Sequence, residues 1–143
     1  MKTALHISIL LLLLAGCEDQ GSQPPGWLLP YEQWKISGLQ NYTIDQTMIC
    51  YCITGGQTMR LVVRSGLMTS VTRLSDSAQM SPPISSYYRT VDSLFGIIRN
   101  PGSDSIVVTY NSQYGYPERL DINPQSHPVD GGVIYETSNL RVP

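Results

Sequence analysis

Cys50 and Cys52, one residue apart with Met48 two residues ahead, form the densest group of chemistry-bearing side chains in this sequence. Several chemistries suit the spacing. Oxidised, the two cysteines close a disulfide. Reduced, Met48, Cys50 and Cys52 are soft sulfur ligands of the kind copper(I) takes, or the cysteines alone are a dithiol for redox exchange. Buried and reduced, they are an inert thiol pair. Cα atoms two positions apart on a flat strand are ~6.6 Å apart, near the upper limit for a bridge. A disulfide therefore demands a bent or bulged strand. The chain-entropy formula for a three-residue loop yields only ~1.6 kcal/mol, so such a bridge shapes a strand end more than it stabilises a fold.

The other reactive side chains are scattered. Nucleophilic catalysis needs a nucleophile, a base and an orienting group held together. Apart from His6 the only histidine is His127, between Ser126 and Pro128 in a loop, where a solvated side chain is the ordinary reading. Asp121 and Asp130 are candidates for paired-carboxylate chemistry. Yet Asp121 falls on the wet face of its strand, and Asp130 precedes the turn pair Gly131-Gly132. Asp121, Asn123 and Asp130 offer oxygen ligands without the tight alternation of a calcium loop. The chain reads as a non-enzyme with no cofactor. The aromatic run YNSQYGYP is open to two readings: Tyr110, Tyr114 and Tyr116 form a recognition surface for a partner, or they pack beneath a hairpin.

The third cysteine, Cys17, decides the compartment. Lys2, then the apolar run Ile7 to Leu14, then small residues is the layout of a secretory signal. The run is too short for the roughly 20 apolar residues that a spanning helix needs. Leu14-Ala15-Gly16-Cys17 resembles the lipobox of bacterial lipoproteins. That resemblance implies thioether lipidation of Cys17, cleavage after Gly16 and acylation (palmitate) of the new amino terminus. Two or more acyl chains anchor stably where one does not. The resemblance further implies, from Glu18 in place of Asp after the lipidated cysteine, the outer membrane facing the periplasm if the cell is Gram-negative. With Cys17 lipidated, an even pair of cysteines remains in an oxidising compartment, and a Cys50–Cys52 disulfide becomes the expectation.

The chain has 11 acidic and 9 basic residues, and Lys2 is lost with the signal. That balance argues against nucleic acid and against electrostatic adhesion to anionic lipid. Asn41-Tyr42-Thr43 matches a glycosylation sequon, which in a bacterial lipoprotein is coincidence. Residues 1–16 read as signal peptide, 17–28 as a flexible tether, of which the ten residues Cys17 to Gly26 reach at most ~35 Å, and 29–143 as a single domain.

The elements that position these groups follow from periodicity. LPYEQWKISG predicts a short helix with Tyr31 and Trp34 on one side and Gly38 at its end. NYTIDQTMICYC alternates, with Tyr42, Ile44, Gln46, Met48, Cys50 and Cys52 on an inward face. MRLVVRSG continues as a second strand into a Ser65-Gly66 hairpin and a third strand around Met68 to Leu74. SDSAQMSPPISS reads as a polar loop. TVDSLFGIIRNP has Val91, Leu94, Phe95 and Ile98 at i, i+3, i+4, i+7 after a Thr90 N-cap, the strongest helix signal present. SIVVTY, ERLDIN and GVIYETSNL are three further strands. One wet face per strand indicates an antiparallel sheet. The expected fold is α+β: five to six antiparallel strands, one main helix packed on one face and a short N-terminal helix.

The motifs Tyr31–Trp34, Asn41-Tyr42, Cys50-Tyr51-Cys52, Val91-Asp92 with Leu94-Phe95, Val108-Thr109-Tyr110 and Tyr114-Gly115-Tyr116-Pro117, with Asp121 and Asp130, together resemble a group of bacterial lipoproteins carrying a domain of unknown function. The resemblance implies an α+β fold and brings no activity, substrate or catalytic residue. The function expected is a membrane-anchored binding or envelope-structural module with an envelope protein as partner; the alternative is a thiol-based copper or redox module.

Overall fold

The computed structural model describes residues 25–129 and 131–143. The signal-like run, Cys17 and Asp130 lie outside them. Among the described residues the order is α1 (Leu28–Ser37), β1 (Tyr42–Ile49), β2 (Thr58–Arg64), β3 (Leu67–Arg73), α2 (Val91–Arg99), β4 (Ile106–Tyr110), β5 (Pro117–Ile122) and β6 (Val133–Arg141). The fold is α+β, with six strands in the spatial order β3-β2-β1-β6-β5-β4 and every neighbouring pair antiparallel.

Two three-stranded meanders are thus joined through β1 and β6. The chain leaves one edge of the sheet after β3 and re-enters at the other edge as β4. That crossing carries a 3-10 turn at Ile84–Tyr87 and then α2. The polar loop after β3 folds back on the sheet edge: Thr72 bridges Gln79, Met80 N–H bonds the Val71 carbonyl, and Tyr88 beyond it is buried.

Register partners share a face of the sheet. Ile44, Leu61 and Val71 form one row of the core face, and Met48, Tyr135, Leu120 and Val108 form another. Val91, Leu94, Phe95 and Ile98 of α2 belong to the same buried cluster as these strand residues. Thr90 caps α2 by accepting from the Ser93 N–H at 3.2 Å. The Tyr42 hydroxyl accepts from the Val91 N–H at 3.1 Å over β1, and Phe95 stacks on Tyr110 of β4 with centroids 6.1 Å apart.

α1 lies across the end of the sheet where β1 begins. Trp34 meets Tyr42 edge to face at 5.4 Å. Gln33 donates from Nε2 to the carbonyls of Ser112 and Gln113, at 2.9 and 2.8 Å. Trp27, ahead of the helix, also packs on the core. The β1–β2 loop lies at the opposite end of the sheet, with the start of β6 and the end of β3.

Candidate functional site

The cysteine pair sits at the tip of the β1–β2 hairpin. Pairing of β1 ends at Ile49, not at Cys52. From Cys50 the chain bends, the Cα atoms of Cys50 and Cys52 are 5.3 Å apart, and their sulfurs are at disulfide distance. This is the bend the spacing demands, since a flat strand holds those Cα atoms too far apart. The bend also removes the inward alternation expected there. Cys50 packs on the edge of the core while Cys52 is exposed.

The loop then folds back on itself. Gly55 N–H bonds the Cys52 carbonyl at 3.0 Å and Gly56 N–H bonds the Met48 carbonyl at 2.9 Å. A Cβ at position 55 would collide with the Cys50 carbonyl oxygen, so only glycine fits. Thr54 is buried beneath the tip. Its hydroxyl faces the Tyr88 phenol and limits the rise that burial imposes on it, although neither hydroxyl reaches full hydrogen-bond geometry. What the tip presents outward is apolar: Tyr51 is 90% and Ile53 82% exposed, with Ile49 beside them.

Met48 does not join the sulfur pair at this surface. It is buried in the core face opposite Tyr135. Among the described residues no three His, Cys, Asp or Glu side chains gather as a metal site.

The three tyrosines of YNSQYGYP are turned largely inward. Tyr116 is buried, and Tyr110 and Tyr114 are half-buried against the core. Burial pushes the phenols of Tyr110 and Tyr116 up. The hairpin clamps onto α1 at Gly115, where a Cβ would meet the Pro30 carbonyl oxygen. Packing beneath the hairpin is the main use of these rings.

Two polar residues of β1 matter more than their sequence context suggests. Asp45, on the face of β1 opposite Ile44 and Met48, is 2% exposed. It takes a bidentate fork from Arg60, Nε at 2.8 Å and the terminal nitrogen at 3.0 Å. Asn139, held at φ 53°, donates to it at 3.1 Å. Asp45 and Arg60 are cross-strand partners equidistant from the middle of the β1–β2 turn, and that symmetry was the available signal. Gln46, the one polar member of the inward face read for β1, accepts from the Arg89 N–H at 2.9 Å and donates to the Arg89 carbonyl at 3.1 Å. It thereby imitates a strand neighbour and fixes the backbone that enters α2.

Asp45, Thr47, Thr58, Ser138 and Asn139 line a shallow depression of about 580 Å³ on the sheet face away from α2. Its carboxylate is already saturated by Arg60 and Asn139, so it has little left for a ligand. On β5 and β6, Arg119 pairs with Glu136 at 2.5 Å and with Asp121 at 3.5 Å. Asn123 closes its loop by accepting from Ser105 N–H at 2.9 Å and donating to Asp104 at 2.8 Å. The side chain of His127 and the whole of Asp130 lie outside the described residues.

A six-stranded antiparallel sheet and two helices, with ion pairs on the sheet and an apolar tip whose cysteines stand at disulfide distance, define an α+β module. The chain belongs to a family of unknown function, DUF6174, whose sequence model matches residues 29–142. Comparison with curated proteins and with solved structures returns no match.

Proposed function

We propose that this protein is a lipid-anchored, non-enzymatic binding module of the bacterial cell envelope that presents its β1–β2 tip to a protein partner. The anchor is Cys17, and in a Gram-negative cell the domain faces the periplasm from the outer membrane. The reading rests on the tip: large apolar side chains at Tyr51 and Ile53 stand in solvent on a backbone held by Cys50–Cys52 and the Gly55 contact. Exposed apolar side chains on a preorganised turn suit recognition, because ordering them costs little entropy on binding.

A photo-crosslinker at position 51 in living cells should trap a discrete envelope adduct, and Ile53→Ser should remove most of it. A wild-type tip that traps nothing while the protein sits correctly in its membrane refutes the binding reading. Cys17→Ser should abolish membrane attachment or processing, and unchanged partitioning into detergent refutes the anchor.

The exposure of Cys52 supports a second reading, in which the pair exchanges electrons with a dithiol partner or, reduced, holds copper(I). Metal content and thiol titre of anaerobically purified protein separate it from the first.

A further inference from the structure

We infer that the outward side of α1 is a membrane-contacting face, on which Leu29 and Ile36 rest against the lipid bilayer. The inference builds on the lipid-anchor reading and adds an orientation to it. Leu29 is 68% and Ile36 86% exposed. Seven residues are two helical turns, so the two side chains lie on one stripe. That stripe is opposite Tyr31 and Trp34, which face the core. On the stripe's own side the exposed polar residues Glu32 and Gln33 stand between Leu29 and Ile36, with the Gln33 amide bonded to the β4–β5 hairpin, so the stripe is two aliphatic side chains framed by polar groups.

Leu67, also strongly exposed on the β2–β3 turn, lines a depression with Trp34, Lys35 and Asp92 at the flank of α1. Lys35 at that flank stands 4.0 Å from Asp92 in an exposed ion pair, and its aliphatic stem can lie along the neighbouring apolar surface with the charge at headgroup level.

What covers this face follows from where the chain enters the domain. Ten residues lie between Cys17 and Leu28, so eleven Cα–Cα steps join them. Fully extended they span at most ~38 Å, and as a flexible coil roughly half that. An acyl anchor at Cys17 therefore keeps α1 within reach of the bilayer throughout. Two or three aliphatic side chains would not recruit a protein to a membrane, but they suffice to orient one already held there.

A second exposed apolar cluster, Ile49, Tyr51 and Ile53, is at the far end of the eight-residue strand β1, about 24 Å away along that strand. A domain seated on α1 would point its tip away from the membrane.

The chain is suited to a direct test, because both of its tryptophans, Trp27 and Trp34, belong to the α1 region. The full chain is acylated in cells, purified in detergent and reconstituted into phosphatidylcholine vesicles whose acyl chains are brominated close to the headgroup. Tryptophan fluorescence should be quenched severalfold more than in the same vesicles with bromine near the chain ends. Leu29→Glu with Ile36→Glu should float with vesicles as before and lose most of the shallow quenching, its fold checked by near-ultraviolet dichroism. A wild-type protein that floats with unquenched tryptophans overturns this inference and leaves the anchor intact. A double variant quenched like wild type also overturns it. A detergent-solubilised dimer that the double variant abolishes, with no quenching in vesicles, assigns the face to a second copy instead. A chain without acyl groups that does not float removes the anchor and this inference together.

Discussion

The ion pair across β1 and β2 makes an asymmetric prediction. Asp45 is 2% exposed, whereas about a third of the Arg60 side chain, 34%, meets solvent. Arg60→Met removes the fork and leaves a buried carboxylate with only the Asn139 amide. Breaking a buried pair from that side costs ~3–5 kcal/mol. Asp45→Leu leaves instead a guanidinium that can turn to water. The loss is then one set of charged hydrogen bonds, ~1.5–3 kcal/mol, partly offset by the apolar side chain gained. We expect ~1–2 kcal/mol. The double variant leaves no unpaired charge and should fall within about 1 kcal/mol of wild type, as buried pairs replaced by apolar residues often do. Urea unfolding of all four proteins closes the cycle, and the coupling energy should reach ~3 kcal/mol or more. Equal costs for the two single variants, or simple additivity, would refute the claim that Asp45 is the desolvated partner.

Three further outcomes follow from the same structure. Phe95, buried between Tyr31 and Tyr110, should cost ~3–5 kcal/mol on replacement by Ala; an unchanged thermal midpoint would mean that α2 does not close the core. Burial pushes the Tyr42 phenol up to about 12, opposed by the Val91 N–H and reinforced by Asp92. The fold favours the neutral phenol, so stability should be intact below pH 10 and fall by up to ~3 kcal/mol between pH 10 and 12. Phenolate absorbance and unfolding should coincide there, and a Tyr42 that ionises normally in the folded protein would contradict this. Cys50→Ser with Cys52→Ser should lower stability by no more than ~2 kcal/mol, because a three-residue loop restricts the unfolded chain little; a larger loss in denaturant titration would show the bridge to be a structural clamp.

Local pattern made much of this protein legible. Helix α2 was readable because four apolar residues at helical spacing, an N-cap threonine and a stop at Asn100-Pro101 are properties of one segment. β2 was readable because Met59, Leu61 and Val63 share one face while Arg60 and Arg64 lie on the other, and all three apolar residues are fully buried. The class followed from strands with a single wet face, and the six-stranded antiparallel sheet agrees with it. The bend at Cys50–Cys52 was foreseeable as a condition, since spacing alone rules out a bridge on a flat strand.

Where side chains answer to distant partners, the sequence was silent. Asp45 reads as a solvated strand residue until β2 brings Arg60 and β6 brings Asn139 over it. Gln46 reads as a blemish on an apolar face until the crossing chain places the Arg89 backbone against it, 43 residues away. The tyrosines of the β4–β5 hairpin were evenly balanced between surface and core, because nothing local says that α1 and Phe95 lie under that turn. Periodicity reports which face of an element is apolar; strand order and the path of the crossing helix decide what meets each face. An exposed apolar tip, and Leu29 and Ile36 exposed on α1 at the opposite end of the sheet, are therefore facts of tertiary structure alone.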